Sequence, residues 1–231
     1  MFNEKSKNII SFGASVDHNF GGPCILAGLS QLLKSKSYDL VHYQHNPPCG
    51  SSYMYIDFDI KHISARPRSF LIGVVIYRVF GTSLQGKECD QLFYDLKAAD
   101  MVVDLWGIEF AEQLMGGKSG GFFKALINVM GQYRIAFAAR ILGTPVLKSS
   151  SSFGPMKSAF SKRCAYIYTN FILSKILARE LSGMLALQSV GVKKEILLSP
   201  DFALAFNINN FCDNTGLNNT PIGISVSYRV A

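Results

Sequence analysis

The sequence predicts an α/β fold built on a doubly wound parallel sheet. Three observations lead there. Short apolar runs that read as buried strands alternate with stretches of helical period from residue 9 to residue 206. That alternation calls for parallel strands joined by crossover helices. A chain of 231 residues that is 48% apolar and 17% charged, with only 8 prolines, is long and apolar enough to bury a substantial core.

Taken in order, residues 8–15 (NIISFGAS) read as a buried strand ending in small residues, and a loop over 16–22 feeds a helix with Pro23 near its first turn. Leu26, Leu29 and Leu33 share one face of that helix, and Lys34 and Lys36 sit where cations suit its dipole. Residues 38–43 (YDLVHY) form the next strand, and residues 45–52 a loop. Residues 53–61 alternate, with Met54, Ile56, Phe58 and Ile60 on one face, as a half-exposed strand at an insertion or sheet edge would. Residues 68–80 could be a helix or a buried strand, their apolar run and β-branched content pulling in opposite directions, and helix is preferred; residues 90–99 fit a helix, and residues 101–105 (MVVDL) a short buried strand ending at Trp106-Gly107. A helix over 124–142 places Leu126, Met130, Tyr133, Phe137 and Ile141 on one face and stops at Gly143-Thr144-Pro145.

Beyond it, residues 146–149 read as a strand running into a serine-rich turn over 149–155, and residues 158–171 as a helix. Residues 175–178 and 196–199 are strands on either side of a helix over 181–190 that Gly191 closes. The asparagine-rich stretch 207–221 reads as a linker, and residues 222–231 as the first strand of a second unit, so that 1–206 is one domain.

Composition excludes several classes. No window approaches the 18 apolar residues of a membrane helix, and MFNEKSKN lacks a signal-peptide core, so the cytoplasm is the expected compartment. Five cysteines without a CxxC pair argue against a disulfide scaffold or a zinc site. The net charge of +7 is uneven: residues 113–194 hold twelve bases and one acid, Glu180. Such a field draws anions. Nucleic acid fits poorly, because the bases are dispersed among apolar residues without aromatic platforms.

In an open α/β sheet, ligands bind outside the carboxyl ends of the strands. Four loops there stand out. The first (Asp17, His18, Asn19, Gly21, Gly22) opens a helix whose N–H groups can receive an anion, with His18 a candidate proton donor. The second presents Glu109 and Glu112, three residues apart, which a solvated helix start explains better than a functional pair does. The third supplies Ser151, Ser152 and Gly154, and the fourth Arg179-Glu180, where Arg179 can grip a carboxylate or phosphate or make a structural ion pair. His42 and His45 have HxxH spacing but no carboxylate partners for a metal.

Together and in order, these loops resemble the polysaccharide pyruvyl transferase family. The carriers are NFGGPCIL (19–26), ADMVVDLWG (99–107), SFGP (152–155), Arg179-Glu180 with Gly191 twelve residues beyond the Arg, and Pro200-Asp201. Trp106 stands where the family usually has glycine, and Gly183 where it has a small residue four places after the Arg.

The resemblance implies a Rossmann-like domain that is the first half of a two-domain, GT-B-like arrangement. Transfer of a pyruvyl group from phosphoenolpyruvate to two sugar hydroxyls as a ketal is the implied activity. Phosphoenolpyruvate is then donor substrate rather than cofactor, no metal is required, and the acceptor is a glycan or lipid-linked sugar, which brings the protein to a membrane surface. Asn19, Gly21, Gly22, Gly107, Ser151, Ser152, Gly154 and Arg179 would hold the anion; Asp17, His18, Glu109 and Glu180 would serve proton transfer. A nucleotide-sugar glycosyltransferase and a non-catalytic anion-binding domain use the same architecture and stay open.

Overall fold

In the computed structural model, the described residues are 7–15, 21–44, 59–63, 67–81, 87–111 and 129–205. Their elements run β1 (Lys7–Phe12), α1 (Gly21–Lys34), β2 (Tyr38–Gln44), β3 (Asp59–His62), α2 (Pro67–Phe80), α3 (Lys87–Ala98), β4 (Met101–Asp104) and β5 (Ile108–Glu109). There follow α4 (Arg134–Leu142), β6 (Val146–Phe153), α5 (Ala159–Ile167) with a π turn (Tyr168–Ile172), β7 (Lys175–Ala178), α6 (Leu181–Ser189), β8 (Ile196–Leu198) and a 3-10 turn (Phe202–Ala205).

All the pairings are parallel, in the order β3-β2-β1-β4-β6-β7-β8, with β5 added alongside the end of β6. Strand order reverses between β1 and β4, the hallmark of a doubly wound, Rossmann-like sheet.

Period-two alternation explains why both faces are covered. Ile10, Phe12 and Val102 point into one apolar cluster, with Phe70 and Val74 of α2, Leu92, Phe93 and Leu96 of α3, and the alanines of α4. Ile9, Val103 and Leu105 point the other way, onto Leu26 and Leu29 of α1. Phe202 of the 3-10 turn packs on that second cluster. No helix among the described residues is long and apolar enough to cross a membrane.

Three sequence expectations are corrected. The strand at 146–149 extends to Phe153, so the four serines 149–152 lie in a buried strand and not in a turn. Pairing on two sides, with β7 and with β5, supplies the partners that draw this polar run into the sheet. The helix expected over 124–142 is interrupted at Tyr133, whose backbone (φ −100°, ψ 13°) leaves the helical range before α4 begins. Residue Glu109 does not open a helix; it lies on β5. The strand expected over 53–61 is described only as β3, at the sheet edge, while residues 206–231, with the expected linker and second-unit strand, lie outside the described residues.

His42 ties β2 to β1. Wholly buried, its Nε2–H donates to Ala14 O (3.0 Å), and Nδ1 accepts from the Ser11 hydroxyl (2.9 Å). Burial holds its pKa down to about 4, against the smaller opposing pull of the Ala14 carbonyl. The unfolded chain therefore binds this proton first as pH falls, and stability conferred by neutral His42 is lost from pH 6.5 downward. Denaturant titrations of wild type and His42→Gln should show the wild type alone losing ~1–2 kcal/mol from this group between about pH 6.5 and 5. Parallel pH profiles for the two proteins would contradict this.

Candidate functional site

Because the strands are parallel, every strand-to-helix loop leaves from one edge, and the site is built there from three groups of residues.

The first is at the switch point. β1 ends in Gly13, whose φ of +95° needs glycine, and a Cβ there would lie 2.7 Å from the Trp106 ring and 2.8 Å from its backbone nitrogen. Trp106, following β4, is thus pressed onto the end of β1, and its indole Nε1 is buried without a hydrogen-bond partner. The first turn of α1 returns equally close, since a Cβ on Gly22 would meet Ser15 O at 1.9 Å. Gly21 and Gly22 thereby open a helix N-terminus at this edge, with Ala14 held from beneath by His42.

The second group is a buried ion centre. Lys148 of β6, with no solvent exposure, has its Nζ 2.9 Å from Asp104 Oδ1 on β4 and 2.6 Å from Glu109 Oε1 on β5. The Glu109 contact is an ion pair without hydrogen-bond alignment, whereas Nζ donates to Asp104 and, at 2.7 Å, to Trp106 O. Tyr168 of the π turn donates to Asp104 Oδ2 (2.5 Å), and the Tyr133 hydroxyl donates to Glu109 Oε2. Ser151 Oγ adds a second bond to Trp106 O (2.6 Å), and Asp104 Oδ1 accepts from Trp106 N (3.0 Å).

Two carboxylates face one ammonium in a dry space. Burial above all, and the Asp104 charge secondarily, push the Glu109 carboxyl well above its ordinary range, with Lys148 opposing. Both tyrosine hydroxyls are pushed up as well, chiefly by burial.

The third group surrounds Arg179, one-third exposed at the end of β7. Its Nη1 pairs with Asp201 (3.1 Å) and its Nη2 donates to Ser152 Oγ (2.5 Å), two contacts that, among the described residues, leave the rest of the guanidinium fork unused. Glu180 is the N-cap residue of α6, in extended conformation, without a side-chain capping bond. Gly183 lets α6 close on β6, since a Cβ there would stand 3.2 Å from Phe153 N, and Gly154 turns the chain with φ of +83°.

The structure therefore brings together Arg179 with Ser152, and Ser151 with the Trp106-Gly107 turn and the centre that holds Glu109. Glu109 is fully enclosed, facing Lys148 and Tyr133 rather than solvent. Gly107 has open space where a Cβ would stand. Asp17, His18, Asn19 and Glu112 lie outside the described residues, as does His45 of the HxxH pair. Among the described residues, no group of three His, Cys, Asp or Glu side chains is placed to hold a metal.

Sequence reading missed Asp104, Tyr133, Lys148 and Tyr168. A signal for two of them was present: a charge inside each of two apolar strands, MVVD and VLKS, needs a buried counter-charge.

Strand order and edge geometry define a Rossmann-like α/β domain. No family model and no curated protein matches the chain. Among solved structures it is similar to UDP-glucose 4-epimerase from Brucella ovis in complex with NAD, at 15% identity and TM-score 0.36, over 84% of this chain and 51% of that one. A second is a short chain dehydrogenase from Leptospira borgpetersenii with bound NAD+ (13% identity, TM-score 0.37, covering 86% and 93%). A third is a putative epimerase from Burkholderia cenocepacia (12%, TM-score 0.28, covering 84% and 75%). The chain spans about half the length of the Brucella epimerase chain.

Removing Lys148 while leaving its carboxylates would bury uncompensated charge. Lys148→Met should cost about 3–5 kcal/mol in urea unfolding, and adding Glu109→Gln and Asp104→Asn to it should recover part of that loss. Equal stability of wild type and Lys148→Met would show that the centre contributes nothing.

Proposed function

We propose that this domain binds phosphoenolpyruvate as part of a polysaccharide pyruvyl transferase-like enzyme, transferring the pyruvyl group to two hydroxyls of a glycan or lipid-linked sugar. The observation that carries the reading is Arg179, half-used by Ser152 and Asp201 and still one-third exposed at the carboxyl edge of the sheet. A planar fork already oriented by a carboxylate and a hydroxyl is preorganised for a phosphate or carboxylate. Residues 113–194 hold twelve bases against one acid, a balance that draws anions, and the N-terminus of α1 lies at the same edge as Arg179.

In this reading Ser151, Ser152, Gly154, Gly107, Asn19, Gly21 and Gly22 frame the anion, and no metal is needed. Protonating the enol carbon and taking protons from the acceptor hydroxyls fall to Asp17, His18 and Glu180. Glu109, being enclosed, contributes by holding Lys148 and the Trp106 turn. The work is done in the cytoplasm, at the face of the membrane that presents the acceptor.

Calorimetric titration of the full chain with phosphoenolpyruvate tests this. Binding should weaken as salt is raised, because ions screen a basic cleft. Arg179→Lys keeps the charge but loses the fork, and should bind more weakly by about 1–3 kcal/mol. Equal binding by a folded Arg179→Lys would make Arg179 purely structural, and binding of a nucleotide sugar in place of phosphoenolpyruvate would transfer the reading to a glycosyltransferase.

A further inference from the structure

Residues 106–111 cross the carboxyl ends of β4 and β6 on very little backbone support. β5 pairs with β6 only through Ile108 opposite Ser152 and Glu109 opposite Phe153. The backbone bonds are Ser152 N–H to Gly107 O (3.0 Å) and Gly154 N–H to Glu109 O (2.9 Å). At one end, a Cβ on Gly107 would meet no described atom within 4 Å, so no close packing surrounds that residue. At the other, Phe110 is held at φ +54°, a left-handed conformation disfavoured for a bulky residue. Its ring is kept there by burial against Tyr133 (centroids 5.8 Å apart) and Tyr168 (5.9 Å).

Side chains therefore hold what the backbone does not, and the main tether is Glu109 on Lys148. We propose that residues 106–111 form a latch over the ends of β4 and β6, closed while the Glu109 carboxyl is neutral and released when it gives its proton to water. With Glu109 neutral, the centre holds one anion, Asp104, and one cation, Lys148, so the charges balance. Glu109 Oε1 then takes the Lys148 contact as a carbonyl oxygen, and Oε2 stays against the Tyr133 hydroxyl.

Ionisation leaves two anions against one cation in a space without solvent, and moving Glu109 out is the cheapest relief. The raised Glu109 carboxyl places that event above the ordinary carboxylate range. The other ionisable groups that face it are Asp104 on β4, Lys148 on β6, Tyr133 ahead of α4 and Tyr168 on the π turn, with Cys164 of α5 felt through Tyr133. Release relaxes Phe110 and opens the Lys148–Asp104 pair beside Ser151 to solvent at the sheet edge.

Trp106 is the chain's one tryptophan and lies in the latch, so its fluorescence reads the latch without labelling. Emission and acrylamide quenching are followed in the full chain from about pH 5.5 to about pH 9.5, below the ordinary tyrosine range, with far-UV ellipticity recorded in parallel. The wild type should shift to the red and become several-fold more quenchable as pH rises, with ellipticity retained, and Glu109→Gln should stay blue and protected throughout. A wild-type signal that does not change, a change that tracks loss of ellipticity, or the same transition in Glu109→Gln would each overturn the latch. The wild-type titration decides the matter even if the variant does not fold, and since no ligand is involved the result is independent of the proposed enzyme activity.

Discussion

Lys148, an ammonium with no solvent exposure lodged between Asp104 and Glu109, is the interaction on which the carboxyl edge of the sheet depends. Taking an ion such as Lys148 or Asp104 out of water costs several kcal/mol, and their mutual attraction repays it only with further hydrogen bonds around the pair. That requirement draws in Tyr168, Tyr133, Ser151 and the Trp106 backbone, from four separate stretches of chain. The Trp106 turn is shaped from below by this network, and its indole then closes against Gly13 at the end of β1.

The same logic governs the two flanking groups. His42, neutral because it is buried, fixes Ala14 and so the departure of the first loop, while Gly22 admits the Ser15 carbonyl that a side chain would exclude. On the far side, Ser152 and Asp201 orient Arg179 across the ends of β6 and β7. Buried groups beneath the edge thus position the turn at Trp106, the first loop and the Arg179 side chain above it.

Much of this was legible in the sequence. Buried strands such as IISF and KILA announce themselves by apolar β-branched content, and the alternation with helices fixes their parallel direction. The meeting of Arg179 with Ser152 followed from both leaving the same edge. What failed did so for tertiary reasons. A run of four serines has the composition of a turn, and only pairing with strands elsewhere in the chain makes it β6. The helical period across Tyr133 is unbroken in sequence, but the helix gives way where Tyr133 bonds to Glu109. Glu109 itself looked solvated because its counter-charge lies 39 positions later, at Lys148, a pairing that no local pattern encodes.

The central claim, that the buried centre holds the edge loop in place, is tested most directly by residue-resolved amide hydrogen exchange on wild type and on the Lys148→Met, Glu109→Gln double variant. The account predicts that the Ser152 and Gly154 amides, which bond across to Gly107 and Glu109, lose protection in the double variant while Val102 and Ile176 in the sheet interior keep theirs. Unchanged protection at Ser152 and Gly154, with the variant folded, would contradict it.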